Sequence, residues 1–266
     1  MEKVVETETK SEALYWHSCG DGEDVVLIHG WGMNGAVWQQ TVEELSQHYR
    51  VHVVDLPGFG HSHQSSFINM DDLAQQVLTH APQQATWLGW SLGGLLATHI
   101  ALNHPQRVSK LITVASSPKF AAERPWRGIQ PNVLNAFTEQ LVDDFQLTIE
   151  RFMALQAMGS PSARQDVKQL KKAVLSRPTP NPSALLAGLQ LLADIDYRAQ
   201  LENLTLPVLR LYGRLDGLVP IKVASDVDRL LPHSNQYVFA DSSHAPFMTE
   251  LENFCQQVKQ FISGDL

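Results

Sequence analysis

The segment Gly89-Trp90-Ser91-Leu92-Gly93 has the residue types and spacing of a nucleophilic serine held in a sharp turn. It follows a short apolar run at 86–89 and opens a helical stretch, Leu92–Asn103. In this strand–turn–helix context the flanking glycines leave room for the turn, which lifts the serine oxygen clear of the backbone. The free N–H groups at the helix start can stabilise a developing oxyanion. The pattern therefore predicts Ser91 as a nucleophile.

A serine hydroxyl needs a base, and the base needs a group that orients it. His244 and Asp216 each follow an apolar, strand-like run, which puts them at the same edge of a parallel sheet as Ser91. The chain order Ser, Asp, His is the order of hydrolases with this serine turn. We predict His244 as the base and Asp216 as the acid. Asp194 and Asp196 are rival acids that precede their strand and would lie at the opposite edge.

The oxyanion of an acyl-transfer reaction needs two preorganised donors. One candidate is the backbone N–H of Leu92, directly after the serine, and the other is that of Trp31 in the segment His29-Gly30-Trp31-Gly32. We expect the His29 side chain to hold this loop rather than to transfer protons. The Trp31 ring is a candidate wall of the substrate pocket, with plain core packing as the alternative. The glycine-rich segment Asp55–Ser62 is expected to be a structural corner.

Short apolar runs alternate with amphipathic stretches along most of the chain, which predicts an α/β fold with a mostly parallel sheet flanked by helices. Together with the serine turn, this pattern predicts the α/β-hydrolase fold. The alternation stops over 119–199, where apolar positions from Phe137 to Phe152 have helical spacing. We predict a helical lid at 119–199, inserted into a core formed by 1–118 and 200–266. Phe145 and Phe152 are expected either to line an acyl channel or to pack the lid onto the sheet.

Composition narrows the function classes. The 266 residues carry a net charge of −8, which argues against nucleic acid as a partner. Two cysteines, Cys19 and Cys255, form neither a disulfide framework nor a metal motif. The first 16 residues have no apolar core, and no apolar run is long enough to cross a bilayer. We expect a soluble, cytoplasmic protein, monomeric by default, that needs no metal and no cofactor and makes no membrane contact.

Several stretches together resemble one family. They are HGWGMNGAVW, VDLPGFGHS, GWSLGG, LYGRLDGLVP and SSHAPF, with VASSPKF, ERFMALQAMG and ARQDVKQLKK in or next to the insertion. The chain resembles the pimeloyl-[acyl-carrier protein] methyl ester esterases of biotin synthesis. The resemblance implies that Ser91 attacks the methyl ester of pimeloyl bound to acyl carrier protein, that methanol leaves, and that water releases the free carboxyl group. It also implies substrate contacts at Trp31, Ser91, Leu92, Phe152, Met153, Ala154, Leu155, Gln156 and His244.

A basic region of the insertion suits an acidic carrier protein. Residues 118–186 carry a net charge of +3, whereas the remainder of the chain carries −11. Within 151–177 six basic residues, including Arg177, stand against one acid, Asp166. Leu147 departs from the family pattern, in which the matching position is often basic. The predicted docking residues are Arg151, Arg164, Lys168, Lys171 and Lys172.

Two other functions fit the same residues. A general short-chain carboxylesterase would use the same triad on small free esters, and a preference for carrier-linked substrate would separate the two. A non-catalytic hydrolase-fold receptor would keep the fold without the reaction. Failure of a fluorophosphonate probe to label Ser91 would favour that receptor.

Overall fold

The structure of the chain is a computed structural model that describes residues 14–265, apart from the side chains of Val142 and Phe145. A seven-stranded sheet forms its centre. The strands are β1 (Trp16–Cys19), β2 (Asp24–Ile28), β3 (Arg50–Val54), β4 (Ala85–Trp90), β5 (Val108–Val114), β6 (Val208–Gly213) and β7 (Asn235–Phe239).

The strand order is β1-β3-β2-β4-β5-β6-β7, with β1 antiparallel to β3 and every other pair parallel. The inner strands are buried on both faces because helices cover both sides of a parallel sheet. Residues Val25–Ile28 of β2 are fully buried, as is most of β4. Their apolar runs are therefore continuous rather than alternating.

Ten α-helices lie in the described residues. They are α1 (Gln39–Leu45), α2 (Met70–His80), α3 (Leu92–Asn103), α4 (Pro131–Asp143), α5 (Phe145–Ala157), α6 (Ala163–Leu175), α7 (Pro182–Asp194), α8 (Lys222–Leu230), α9 (Pro246–Thr249) and α10 (Leu251–Ser263).

The expected mostly parallel sheet with flanking helices is confirmed. The strand that sequence reasoning missed is β1, which is short, largely exposed and lies at the antiparallel edge of the sheet. It escapes pattern reading because a strand at a solvated edge needs no continuous apolar run.

Helices α4 to α7 follow one another between β5 and β6, inside the range 119–199. The regular apolar spacing from Phe137 to Phe152 does not belong to one helix. The chain breaks at Asp144, whose Oδ1 accepts the Leu147 N–H at 3.0 Å and caps the start of α5. The break lets α5 turn against both α4 and α6.

Candidate active site

A buried histidine–aspartate pair lies at the carboxyl edge of the sheet. His244 Nδ1 and Asp216 Oδ2 are 2.7 Å apart, and the His244 side chain is fully buried. The other carboxylate oxygen, Oδ1, accepts the N–H groups of Leu218 and Val219 at 2.8 and 3.0 Å. These bonds hold the carboxylate in one orientation. Asp216 thus holds the position next to His244 that was predicted for the acid.

The rival acids lie elsewhere. Asp196 pairs with Lys119 and Arg198 at 3.2 and 2.7 Å. Its hydrogen bonds to Arg198 are the main reason that its pKa falls to about 2. Asp194 ends α7 and accepts a hydrogen bond from Gln190 at 2.9 Å. Each carboxylate has its own partners, away from His244.

The His244 loop is fixed by backbone contacts on both sides. Its N–H donates to the Gln156 carbonyl at 3.0 Å, and its carbonyl accepts the indole N–H of Trp90 at 2.7 Å. Since the Asp216 carboxylate accepts, Nδ1 carries the ring hydrogen of the neutral imidazole. Nε2 keeps its lone pair, and it is buried with no hydrogen-bond partner in the described part of the chain. The ring is therefore arranged to accept a proton at Nε2.

Ser91 stands in the turn between β4 and α3 with φ +55° and ψ −117°, a conformation that L residues rarely adopt. The neighbouring positions must be glycine, because there is no room for a Cβ atom at either of them. A Cβ on Gly89 would lie 2.1 Å from the Gly93 carbonyl oxygen, and a Cβ on Gly93 would lie 2.5 Å from that of Ile28. The turn is the strained serine turn that the motif predicts.

The two segments that carry the predicted oxyanion donors meet at Ser91. Leu92 is the first residue of α3, where backbone N–H groups have no acceptor within the helix. The loop that carries Trp31 passes next to Ser91, as shown by its neighbour Gly30, on which a Cβ would lie 3.2 Å from the Ser91 Cβ. The two segments thus meet at the serine.

The Trp31 ring is held by the insertion. Its Nε1 donates to the Leu185 carbonyl of α7 at 2.7 Å, and its ring centroid is 4.8 Å from that of Phe152 on α5. Gly188 makes room for it, since a Cβ there would lie 2.6 Å from the indole Cδ1. The indole therefore connects the loop beside Ser91 to two helices of the insertion.

His29 holds this loop through both ring nitrogens. Nε2 accepts the Leu56 N–H at 3.0 Å, so Nδ1 carries the hydrogen and donates to the Gly30 carbonyl at 2.8 Å. Burial lowers the pKa of His29 to about 4, against a smaller opposing effect of Asp55. The neutral ring is a structural crosslink, as expected.

Asp55 explains the corner at 55–62. Its fully buried carboxylate accepts the N–H groups of Gly35 and His61, each at 2.7 Å, and pairs with Arg177 at 2.5 Å. Arg177 follows α6, so this ion pair joins the insertion to the core. It also removes Arg177 from the basic surface with which its sequence position had grouped it.

The stretch 152–156 divides between two environments. Phe152, Met153 and Gln156 are buried. Ala154 is exposed and Leu155 is half-buried, and both line a groove of about 530 Å³ between α4 and α5. Helical periodicity causes the split, because five consecutive helix residues cover more than one face. The Phe145 side chain lies outside the described residues.

The predicted docking residues lie on α5 and α6. Arg151, Arg164, Lys168 and Lys172 are exposed. Lys171 pairs with Glu150 of α5 at 2.5 Å, and both side chains are about half exposed. Such a pair contributes little and breaks readily. Arg151 also lines the groove between α4 and α5.

Sequence reasoning missed the contacts that fasten the insertion to the core. Neither the Asp55–Arg177 pair nor the bond from Trp31 to Leu185 has a local pattern, because their partners are more than a hundred residues apart. One signal was available. Gly188 lies inside a helix, where glycine is unfavourable and usually has a packing reason.

No group of three or more metal-ligating side chains occurs within residues 14–265. Among the helices of that same range, none has both the length and the apolar character of a membrane span.

The fold and this site define an α/β hydrolase, and a model of the α/β hydrolase fold family matches residues 25–251. A relative from Vibrio campbellii, 71% identical, covers 94% of this chain and 99% of its own length. One from Vibrio parahaemolyticus is 70% identical, with 94% and 98% covered. Both are named pimeloyl-[acyl-carrier protein] methyl ester esterase. The chain belongs to the α/β hydrolase fold family and, within it, to the family of these esterases.

Solved structures give the same fold. An esterase from Exiguobacterium antarcticum aligns with a TM-score of 0.83 at 24% identity, covering 94% of this chain and 95% of its own. A bromoperoxidase from Bacillus anthracis aligns equally well, with a TM-score of 0.83 at 22% identity and the same coverage. At this identity the likeness concerns the fold alone.

Proposed function

We propose that this protein hydrolyses the methyl ester of pimeloyl-[acyl-carrier protein] through an acyl-enzyme on Ser91. The observation that carries the proposal is the buried His244, which Asp216 orients at 2.7 Å and whose Nε2 has no hydrogen-bond partner among residues 14–265. The proposed substrate is the one named in relatives that are up to 71% identical to this chain. We further propose that the active enzyme is a cytoplasmic monomer that uses neither a metal nor a cofactor.

In the first half-reaction His244 Nε2 takes the Ser91 proton as Oγ attacks the ester carbonyl. The N–H groups of Trp31 and Leu92 stabilise the resulting oxyanion. The bond from the carbonyl carbon to the methoxy oxygen then breaks as His244 gives its proton to that oxygen, so that methanol leaves and the acyl group remains on Ser91. In the second half-reaction water attacks the acyl carbon with the same histidine as base. Asp216 holds the imidazole in the required tautomer and stabilises its charged form.

The acyl chain would lie beneath the insertion, against Trp31 and the buried side of α5. Phe152 and Met153 offer apolar surface there, which suits the methylene chain of a pimeloyl group. Ser91 is only 2% exposed, so the substrate has to reach it past the helices of the insertion.

The carrier protein would dock on the exposed basic residues of α5 and α6. Arg164, Lys168 and Lys172 are spaced by four residues along α6, so they turn gradually around one side of the helix. Attraction between this surface and an acidic carrier adds mainly to the association rate and weakens with salt. Leu147 is 38% exposed on α5 and offers no charge, so this protein would grip the carrier less tightly or differently at that point.

The test compares pimeloyl-[acyl-carrier protein] methyl ester with a short p-nitrophenyl ester. Ser91→Ala should remove both activities while the protein stays folded, and retention of near wild-type activity would refute the role of Ser91. The double variant Arg164→Glu/Lys168→Glu should raise KM for the carrier substrate alone. If the free ester is the better substrate and the charge reversal changes nothing, the protein is a general carboxylesterase.

A further inference from the structure

Gln156 carries an unusual side chain for a buried position. It is 1% exposed, and neither its Oε1 nor its Nε2 has a hydrogen-bond partner in the described part of the chain. Burying an amide without hydrogen-bond partners costs up to several kcal/mol of folding free energy. Most buried polar groups in native proteins therefore have a partner. A buried carboxamide with both ends open has hydrogen-bonding capacity that a group arriving during the reaction can use.

The fold places Gln156 next to the proposed catalytic residues. Phe152 and Gln156 are four residues apart on α5, so they lie on one face of the helix. The Phe152 ring contacts Trp31, and the Gln156 carbonyl accepts the N–H of His244 at 3.0 Å. This face thus extends from the loop beside Ser91 to the His244 loop.

The direction of the side chain follows from helix geometry. Helix side chains lean toward the N-terminus of their helix, so Gln156 leans from His244 back toward Phe152. His244 Nε2 is likewise buried and has no hydrogen-bond partner within residues 14–265. The Gln156 carboxamide and this nitrogen are thus open polar groups on two segments that the bond from the His244 N–H to the Gln156 carbonyl holds together.

We propose that Gln156 binds the water that hydrolyses the acyl-enzyme, an inference that rests on the proposed roles of Ser91 and His244. The water oxygen attacks the acyl carbon. One water hydrogen passes to His244 Nε2, and Gln156 Oε1 accepts a hydrogen bond from the other. The bond from the acyl carbon to Ser91 Oγ then breaks, and the histidine returns its proton to that oxygen. The products are the free acid and the original enzyme.

The acceptor on Gln156 distinguishes water from methanol. In the same position methanol has a carbon where water has its second hydrogen, so it leaves Oε1 without a donor. An unmade hydrogen bond in a buried site is a strong means of discrimination. Gln156 therefore directs the acyl-enzyme toward hydrolysis and against return to the methyl ester.

The experiment uses Gln156→Leu, which keeps a similar volume and removes both polar atoms. Stopped-flow release of p-nitrophenol from a short ester separates the acylation burst from the steady state. We expect a burst rate within about threefold of wild type and a steady-state rate lower by on the order of 10²-fold, the usual effect of one lost hydrogen bond to reacting atoms. With methanol added, the ratio of methyl ester to acid should rise about tenfold or more.

Gln169→Leu is the matched control, because its Oε1 is also buried without a partner but it lies on α6. It should keep both the wild-type rates and the wild-type product ratio. Gln156→Met must repeat the result of the leucine variant, and since both replacements remove an unpaired buried amide, neither should lower the melting temperature.

The inference is wrong if Gln156→Leu slows acylation and deacylation equally and leaves the product ratio unchanged. That result would mean that Gln156 contacts the acyl group or only fills space. A different result separates the failure of the proposed function. If Ser91→Ala still hydrolyses the ester and wild type shows no burst, no acyl-enzyme forms on Ser91, and the inference falls with it.

Discussion

Replacing His29 should change how the stability of the protein depends on pH. The folded protein holds this histidine neutral, with a pKa of about 4 instead of the ordinary 6.5, mainly because it is buried. Below pH 6.5 the unfolded chain binds a proton at this position and the folded chain does not. The free energy of unfolding is therefore highest above pH 6.5 and falls as the pH drops toward 4.

The size of the effect follows from the shift. Each pKa unit corresponds to 1.36 kcal/mol, so the stability lost between pH 6.5 and 4 through His29 is about 3 kcal/mol. Near pH 5 almost every unfolded chain is protonated at this position and few folded ones are. The slope from this one group is then about 1 kcal/mol per pH unit.

The assay is urea unfolding of wild type and His29→Asn at several pH values from 7.5 to 4.5. Asparagine removes the titration and keeps an acceptor, so the variant should be less stable at neutral pH yet lose less stability on acidification. The difference between the two curves isolates His29 from other buried groups such as His99, whose pKa is also lowered by burial. Parallel curves would refute the argument from burial.

Three further substitutions test other contacts. Asp216→Asn should lower turnover by roughly 10⁴-fold with the fold intact, and a loss below tenfold in a steady-state assay would contradict its orienting role. Arg177→Met leaves the Asp55 carboxylate buried without its cation, so the free energy of unfolding should fall by about 3–5 kcal/mol, and a change below 1 kcal/mol in chemical denaturation would be inconsistent with a buried pair. Gly188→Ala places a methyl group against the Trp31 indole. Expressed as free energies, its effect on kcat/KM should exceed its effect on unfolding. Equal activity in that variant would show that the indole can move without consequence.

The inner strands and the flanking helices could be predicted because their signals are local. The stretches Met70–His80, Leu92–Asn103 and Lys222–Leu230 are helices with the bounds that their sequences suggest. Met70–His80 and Lys222–Leu230 have apolar periodicity, whereas Leu92–Asn103 is apolar on all sides and follows the serine turn. None of these signals depends on distant partners. The edge strand β1 and the break at Asp144 have weaker signals, since one is solvated and the other interrupts a continuous apolar pattern.

The site divides in a similar way. Ser91 was found from its motif, whose glycines are required by contacts within a few residues and to the adjacent strand. His244 and Asp216 were found from chain order and from their places after strands, because the carboxyl ends of parallel strands share one edge. The orientation of the histidine, with Nδ1 on the acid and Nε2 open, depends on the tertiary structure.

The sequence by itself determined the fold class and predicted a nucleophile with its two partners, because each depends on local pattern or on the order of elements in a parallel sheet. Only the tertiary structure decided how the insertion is fastened to the core, through Arg177 and through the indole of Trp31. It also decided that Gln156 is buried with both polar ends unpaired within the part of the chain that the structure describes. The physical reason is that burial and pairing are properties of segments brought together from distant parts of the chain, and no local pattern records which segments meet.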